Sequence, residues 1–452
     1  MAFSLASALS FLDDPSLDWK AIITGLTIAQ FAFENYLSYR QYQVLKKTSP
    51  PPSLKAEISQ ETFNKSQEYS RAKARFGFFT RGFGLVQNLL TIKYDIIPKL
   101  WNASGFVMQK LAPILPKAMS GIITQSYFFM HVTLVSQLLF SLPLEYYSQF
   151  VLEEKYGFNK LTIGLWITDT IKSLLLSMTF GPAIAVGFLK IIDYYGDSFI
   201  FYTCGFVLFV QLVGMTIFPL FIQPLFNKFS PLEDGELKTA IEKLASEQEF
   251  PLTKLYVIDG SKRSSHSNAY FTGLPWSKQI VLYDTLINHS TVDETVAVLA
   301  HEIGHWKLSH LPQLLVFSQT HVFLCFLVFS GFIKNSSLFK SFGFFNVQPT
   351  IIGFTLFSDI FSPFECLSQF ALNLLTRKNE YQADAYAKKF GYSEDLARAL
   401  IKLLSENLSA MDADWLYSSY HHSHPILAER LNAIGYVSKE KIAPEPVDKK
   451  ED

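Results

Sequence analysis

The chain has 452 residues, of which 49% are hydrophobic and only 17% are charged, and its formal net charge is −1. Soluble globular domains average about a quarter charged residues, so this composition favours a membrane protein, and a near-zero net charge offers no electrostatic basis for binding nucleic acid. The three cysteines, Cys204, Cys325 and Cys366, stand in apolar runs without a pairing pattern, which argues against a disulfide framework and predicts buried thiols.

Seven apolar segments are long enough to be membrane-spanning helices. A helix needs about 20 residues to cross a hydrocarbon core of about 30 Å. In chain order the segments are 19–36, 76–97, 121–142, 174–192, 199–221, 314–333 and 351–375. The second is the most polar, because it carries Arg81, Lys93 and Asp95. We therefore predict a mainly α-helical, polytopic membrane protein.

Charge in the loops predicts the orientation of these spans. The segment 40–75 is rich in Lys and Arg, whereas only Lys20 borders the first span on its N-terminal side. The positive-inside rule therefore places 40–75 in the cytosol and the N-terminus in the lumen. The first 12 residues lack a basic region before their apolar run, so we expect no cleaved signal peptide.

The C-terminal residues resemble a localisation signal. Lys449-Lys450-Glu451-Asp452 resembles the dilysine retrieval signal of endoplasmic reticulum membrane proteins. With seven spans this tail lies in the cytosol. We expect the protein to lie in the endoplasmic reticulum membrane, with the inner nuclear membrane as a second location.

The one sizeable polar region, 227–310, lies between the fifth and sixth spans. It begins with an amphipathic helix, 236–247, followed by strand-like runs at 254–259 and 279–283. The turn-rich stretch 260–275 between these runs is either a hairpin or a mobile rim. This pattern predicts a small α+β insert on a helical membrane body.

We expect five parts along the chain, defined by these spans and the polar regions between them. They are 1–225 with the first five membrane helices and the cytosolic loop 40–75, the cytosolic insert 226–310, the last two membrane helices in 311–376, a cytosolic C-terminal part 377–440, and a tail 441–452.

A metal-binding motif occupies the end of the insert. The sequence reads His301-Glu302-Ile303-Gly304-His305-Trp306. Residues four apart share a face of a helix, so both imidazoles can bind one zinc ion with Glu302 beside them as the base. Thr291 and Glu294 form a capping-box signature that starts this helix near Asp293.

A catalytic zinc has three protein ligands and one open position, so a third ligand is required. Glu380 is the candidate, and Asp384, four residues later on the same predicted helix, is placed to accept a hydrogen bond from a ligand histidine. Alone, such a pair is more often a pair of solvated surface carboxylates. Two predicted spans separate His305 from Glu380, however, and this returns both residues to the same membrane face.

Two further segments carry polar groups. Three of the 10 histidines lie at His421, His422 and His424, where they could supply a spare ligand or donors for an oxyanion, or be incidental. Upstream, 266–271 lies between the predicted strands and is on its own no more than a loop.

These motifs together resemble the type I CAAX prenyl endopeptidases, the Ste24-like membrane zinc metalloproteases, and the chain looks like a fungal member. The matching segments are 301–306, 380–384, 267–271 and 423–430, in the order of that family. The resemblance extends over nearly the whole chain. It implies seven transmembrane helices that enclose a chamber, with a zinc metalloprotease insert of gluzincin type at the cytosolic end. The segment 334–350 is short for the family, which suggests a trimmed lumenal loop.

The resemblance also implies roles for individual residues, transferred motif by motif. His301, His305 and Glu380 would hold one Zn²⁺, Glu302 would be the base and Asp384 would support a ligand. His424 and Arg430 would lie near the scissile carbonyl, and Asn268, Ala269 and Tyr270 would hold the substrate backbone. The substrates would be prenylated CAAX proteins, met at the lipid bilayer by a monomeric enzyme.

Three functions are compatible with this chemistry. The first is removal of the C-terminal tripeptide from prenylated CAAX proteins, with a further N-terminal cut in a prenylated pheromone (a-factor) precursor. The second is a broader membrane-protein quality-control protease, as in HtpX-like bacterial enzymes, which have fewer spans. The third is a transporter or channel with a structural zinc, which would need four closed ligands and no Glu302.

Overall fold

The structure is a computed structural model that describes residues 9–116, 119–274 and 277–438. The start of the N-terminal apolar run and the tail with its Lys449-Lys450 signal lie outside the described residues.

The first half of the described chain is a series of long helices. They are α1 (Trp19–Val44), α2 (Gln60–Lys93), α3 (Ile96–Leu111), α4 (Gly121–Tyr147), α5 (Ile163–Tyr195) and α6 (Phe199–Ile217). The second helix begins well before the predicted position 76, because Ser59 caps it by accepting a hydrogen bond from the backbone N–H of Thr62. Much of the expected loop 40–75 is therefore helical.

The polar insert forms a four-stranded sheet covered by helices. Its elements are β1 (Phe229–Pro231), α7 (Glu236–Glu247), β2 (Leu252–Ile258), β3 (Ala269–Leu274), β4 (Ser277–Tyr283), α8 (Asp284–His289) and α9 (Val292–Lys307). The strand order is β1-β2-β4-β3, with β2 parallel and β3 antiparallel to β4. Of the two alternatives for the turn-rich stretch, the hairpin is the one observed.

The C-terminal part of the described chain is again helical. It contains α10 (His310–Phe329), α11 (Ser336–Ser341), α12 (Thr350–Lys389), α13 (Ser393–Glu406), α14 (Trp415–His421) and α15 (Leu427–Ile434). The 40 residues of α12 run without a break from the last predicted span through Glu380 and Asp384. Because the helix is continuous, the positions of both carboxylates along its axis are fixed relative to the predicted span.

Four helical runs in the described chain are long and apolar enough to cross a membrane. They are Gly121–Glu153, Ile163–Leu225, His310–Phe329 and Thr350–Lys389. The second run contains both α5 and α6, so five of the seven predicted spans meet this criterion. The predicted span 19–36 lies in α1, which is more polar than these runs. The predicted span 76–97 is not one helix, because α2 ends at Lys93 and α3 begins at Ile96 after a left-handed Asp95. The count of seven crossings stays a prediction.

Two of the four hydrophobic clusters in the described chain bear on the site. In the first, among the long helices, Phe329, Phe339 and Phe357 are fully buried. The second joins the insert to the C-terminal helices, since Ile303 of α9 is buried in the same cluster as Ala387 of α12. The zinc-motif helix and the helix of the third ligand therefore share one packed interface.

Candidate active site

The motif helix α9 begins where its sequence predicts. The Thr291 hydroxyl accepts from the N–H of Glu294 at 3.2 Å, and the Glu294 carboxylate accepts from the N–H of Thr291 at 2.8 Å, which completes the capping box. Buried Ala297 and Ala300 anchor the apolar face of the helix. The other face of α9 carries His301 and His305, whose side chains converge.

The third ligand comes from α12, which packs closely against α9. A Cβ at Gly304 would lie 3.0 Å from the Cβ of Tyr386 and 3.2 Å from the Cα of Ala383, so any larger residue would push the two helices apart. Glu380 thereby reaches both histidines, with Oε1 3.2 Å from His305 Nε2 and Oε2 3.5 Å from His301 Nε2. The two Nε2 atoms are themselves 3.2 Å apart.

This arrangement fits a metal ion. One ligand atom each from His301, His305 and Glu380 lies within 4.8 Å of the other two. The Oε2 of Glu380 is buried without a hydrogen-bond partner in the described structure; it lies 3.5 Å from His301 Nε2 and 3.4 Å from Arg430 Nη1, and this oxygen is available to a metal. Two imidazoles and one carboxylate are the donor set of catalytic zinc, and three protein ligands leave a position open.

Asp384 and Arg430 support this site from behind. The Oδ1 of Asp384 lies 2.9 Å from His301 Nδ1, and the Arg430 guanidinium donates to both Asp384 oxygens at 2.7 and 2.8 Å. Burial opposes protonation of His301, but its hydrogen bonds to Asp384 and Glu380 outweigh this and raise its pKa to about 9. Because Asp384 holds a proton on Nδ1, loss of the other ring proton leaves Nε2 free for a metal.

Glu302 and His424 are the groups with room to act on a substrate. Glu302 is half-buried, and within the described part of the chain its carboxylate has no hydrogen-bond partner. The His424 side chain is 63% exposed, with Nε2 3.3 Å from Glu380 Oε1. Desolvation by the surrounding protein lowers the pKa of His424, with Glu380 opposing, so its neutral form is favoured.

The predicted substrate segment lies on an edge strand, because β3 pairs only with β4 in the described sheet. The Asn268 carbonyl accepts from the N–H of Tyr283 in β4 at 3.1 Å. Hydrogen-bonding direction alternates along an antiparallel strand, so the N–H and C=O of Ala269 and Phe271 point to the free edge. The Ala269 N–H is meanwhile held by the side-chain Oδ1 of Asn268 at 2.8 Å.

The remaining predicted residues are placed apart from the metal ligands. The Tyr270 hydroxyl accepts from Gln223 at 2.7 Å, and burial raises its pKa to about 12, which suits support of the strand. His421 lies 3.4 Å from Glu34 of α1, and His422 packs on the ring of Tyr417.

Two residues at the site were missed by sequence reasoning. His310 Nδ1 lies 2.8 Å from His305 Nδ1, and His310 Nε2 lies 3.1 Å from Gln382 Oε1. Gln382 stands inside the 380–384 motif, and His310 follows the zinc motif by five residues. Their closeness in sequence to the two motifs was the available signal. The sharp turn that brings His310 back beside His305 cannot be predicted from the sequence pattern.

Two family models match the chain. Residues 41–228 match the CAAX prenyl protease N-terminal domain, described as five membrane helices, and residues 231–438 match peptidase family M48. Together they cover most of the chain, and their junction falls near the predicted start of the insert.

Individual proteins agree with these models. The chain is 53% identical to CAAX prenyl protease 1 of Saccharomyces cerevisiae over 447 residues, which cover 96% of this chain and 98% of that protein. It is 39% identical to the human CAAX prenyl protease 1 homolog over 443 residues, covering 89% and 92% of the two chains. The crystal structure of S. mikatae Ste24p superposes with a TM-score of 0.88 at 53% identity, covering 93% of this chain and all of that one. With its metal-ligand cluster on α9 and α12, the chain belongs to the CAAX prenyl proteases of metallopeptidase family M48 and is a membrane metalloprotease.

Proposed function

We propose that this chain is a zinc-dependent endopeptidase that removes the C-terminal tripeptide from prenylated CAAX proteins. The observation that carries the proposal is the convergence of His301, His305 and Glu380 beside an unengaged Glu302. Its relatives at 53% and 39% identity are named CAAX prenyl proteases. The three-ligand set counts against a structural zinc in a transporter, because structural sites are closed by four ligands.

Each group at the site has a proposed part in peptide cleavage. A zinc ion held by His301, His305 and Glu380 supplies Lewis-acid polarisation of the scissile carbonyl and lowers the pKa of a bound water. Glu302 takes the proton of the attacking water and passes it to the leaving amine. The exposed His424 donates to the developing oxyanion.

Arg430 takes a different part from the one that family resemblance implies. Two of its donors are engaged by Asp384 and its side chain is 10% exposed. We therefore assign it to holding Asp384, and leave the contact with the scissile carbonyl to His424.

The substrate is proposed to bind as an added strand. The free edge of β3 offers the outward C=O of Ala269 and the outward N–H and C=O of Phe271, and main-chain pairing of this kind tolerates varied side chains. Such tolerance is compatible with a second cut nearer the N-terminus of a prenylated pheromone precursor. Exposed Asn268 is placed at the start of this edge.

An apolar groove near the site is suited to a lipid chain. It lies between α10 and α12, has a volume of about 770 Å³, and is lined by Val316, Phe317, Phe364 and Leu367 among others. One of the residues that line the groove, Ser309, is only four residues after the ligand His305 in the sequence. A substrate whose cysteine carries a prenyl group has both a peptide for the edge strand and an apolar tail for such a groove.

Membrane orientation is proposed from contacts of the basic segment 40–75. Arg40 forms a two-point ion pair with Asp414, both bonds at 2.9 Å, and Lys47 lies 2.6 Å from Asp412. These contacts join the positive segment to the C-terminal catalytic part, so the positive-inside rule applies to both and puts the site on the cytosolic side.

The location is proposed to be the endoplasmic reticulum membrane, together with the inner nuclear membrane. It depends on the tail residues Lys449 and Lys450, and fluorescence microscopy of a tagged chain tests it. Replacing both lysines by serine should shift the protein from reticular to later compartments. An unchanged distribution would show that another signal acts.

The decisive experiment uses the purified full-length chain with one CAAX peptide in prenylated and unprenylated forms, with and without a zinc chelator. We expect cleavage three residues from the C-terminus of the prenylated form only, abolished by chelation and restored by zinc. Glu302→Gln protein is the control for contaminating proteases. Equal cleavage of both forms would instead support a quality-control protease.

A further inference from the structure

We propose that His310 and Gln382 form a hydrogen-bond relay that holds His305 in its metal-binding tautomer, which makes both of them positioning residues. His310 is the first residue of α10, and Gln382 is on α12 between Glu380 and Asp384. The relay consists of contacts of 2.8 Å from His305 Nδ1 to His310 Nδ1 and 3.1 Å from His310 Nε2 to Gln382 Oε1. The inference rests on the proposed metal-binding role of His305.

The direction of each bond follows from the ligand atom. His305 presents Nε2 to His301 and Glu380, so as a neutral ligand it carries its proton on Nδ1 and must donate from there. His310 Nδ1 must then accept, which puts the His310 proton on Nε2, where it is donated to Gln382. The opposite amide orientation of Gln382 would place two donors face to face.

Burial and backbone geometry indicate that this contact is built into the fold. His310 is only 2% exposed, and a buried imidazole is costly unless its polar atoms are paired. Ser309, just before it, has φ 58° and ψ 38°, a left-handed conformation that is unfavourable for a residue with a side chain. This turn between α9 and α10 brings His310 back beside His305.

The two ligand histidines are thus supported in different ways. His301 donates to a carboxylate, Asp384, which is itself held by Arg430. His305 donates to a neutral imidazole whose own proton goes to a neutral amide. Partners of this kind orient the ring and fix its tautomer, and their removal typically lowers metal affinity by roughly 10- to 100-fold.

The test measures zinc affinity of the metal-depleted, full-length protein by competition with a chelator of known affinity. His310→Phe keeps a ring but removes the acceptor, whereas His310→Asn keeps an oxygen at the position of Nδ1. We expect a loss of roughly 10- to 100-fold for His310→Phe and a loss of at most a few-fold for His310→Asn. Gln382→Leu should lie between them, and Gln382→Glu should bind zinc at least as tightly as the wild type.

The control is His321→Phe, which changes another histidine of α10 that bonds to Ser368 and Glu365 instead of a ligand. It should bind zinc like the wild type. A cooperative thermal unfolding transition in each metal-free variant shows that the variant is folded. Wild-type affinity in His310→Phe, or equal losses in His310→Phe and His310→Asn, would overturn the relay. If His305→Ala binds zinc as tightly as the wild type, the proposed metal site itself fails, which is a distinguishable result.

Discussion

Asp384 and Arg430 form a buried two-point ion pair, with Nε 2.8 Å from Oδ2 and Nη2 2.7 Å from Oδ1. The Asp384 side chain has no exposed surface and that of Arg430 is 10% exposed. The same Oδ1 lies 2.9 Å from His301 Nδ1. The pair therefore links α15 to α12 and, through one oxygen, to a metal ligand on α9.

Asp384→Asn should weaken both metal binding and the fold. The amide lacks the charge that orients His301, which should lower zinc affinity by roughly 10- to 100-fold. It also breaks the two-point pair of buried Arg430, which keeps only Glu380 Oε2 at 3.4 Å, and breaking comparable buried pairs costs about 3–5 kcal/mol of unfolding free energy. Chelator competition and thermal unfolding measure the two effects separately.

A second substitution separates these two effects. Adding Arg430→Gln to Asp384→Asn removes the orphaned charge and should recover part of the stability but none of the zinc affinity. Asp412→Asn, in the more exposed pair with Lys47, is the control and should change neither quantity appreciably. Zinc affinity in Asp384→Asn equal to that of the control would contradict the role given to this carboxylate.

Glu302→Gln should retain zinc and lose turnover. Glu302 is not among the three ligands, so metal content should match the wild type. Loss of a general base typically lowers kcat by about 10²- to 10⁴-fold. Glu294→Gln on the same helix keeps an acceptor for the capping box and should remain nearly as active as the wild type. Turnover by purified Glu302→Gln at the wild-type rate would refute the assignment of the base.

Asn268→Ala should raise KM more than it changes kcat or zinc content. Asn268 is exposed at the start of the free edge of β3 and bonds to the outward N–H of Ala269. The amide N–H groups of Asn268 are placed to donate to a substrate carbonyl, and loss of one hydrogen bond to substrate is worth about 0.5–1.5 kcal/mol, or roughly a 3- to 10-fold rise in KM. Thr272→Ala is the control, since the main chain of Thr272 faces β4. An unchanged KM in Asn268→Ala would count against strand addition at this edge.

His266 should make stability depend on pH. The Glu153 carboxylate, 3.9 Å from His266 Nε2, raises the pKa of His266 against the opposing effects of burial and of Lys73. A raised folded pKa stabilises the protein below the unfolded value of about 6.5, and this contribution is lost as pH rises through the folded pKa. The midpoint of thermal unfolding should therefore be higher in the wild type than in His266→Gln at pH 6, and this difference should shrink as the pH rises to 9. A difference that stays constant over this range would show that the pair adds nothing.

Much of this site could be predicted because its signals are local. The His301 to His305 spacing, the Thr291 capping box and the Glu380 to Asp384 spacing each occupy one turn or two of a helix, so the sequence itself contains their geometry. The helix 236–247 and the strands β2 and β4 were predicted within two residues for the same reason, whereas β1 and α8 were not predicted. Apolar runs of spanning length located α4, α5, α6, α10 and α12 but not α3.

Features that depend on tertiary contacts could not be predicted in this way. The early start of α2 is set by one cap at Ser59, in a segment whose charge suggested a loop. The contact of His305 with His310 depends on the left-handed turn at Ser309, a conformation that serine rarely adopts. Burial of Phe329 against Phe357 depends on which faces of α10 and α12 meet, which composition does not determine.

Removal of the metal should lower the thermal stability of the wild type, because the ligands join α9 to α12. A ligand that binds only the folded state stabilises it by about 2.7 kcal/mol at 100 times its Kd. We therefore expect chelation to lower the midpoint by a few degrees, and added zinc to restore it. Glu302→Gln should show the full shift, since it keeps all three ligands, whereas His305→Ala should show almost none. An equal shift in His305→Ala would mean that the stabilising metal binds elsewhere in the chain.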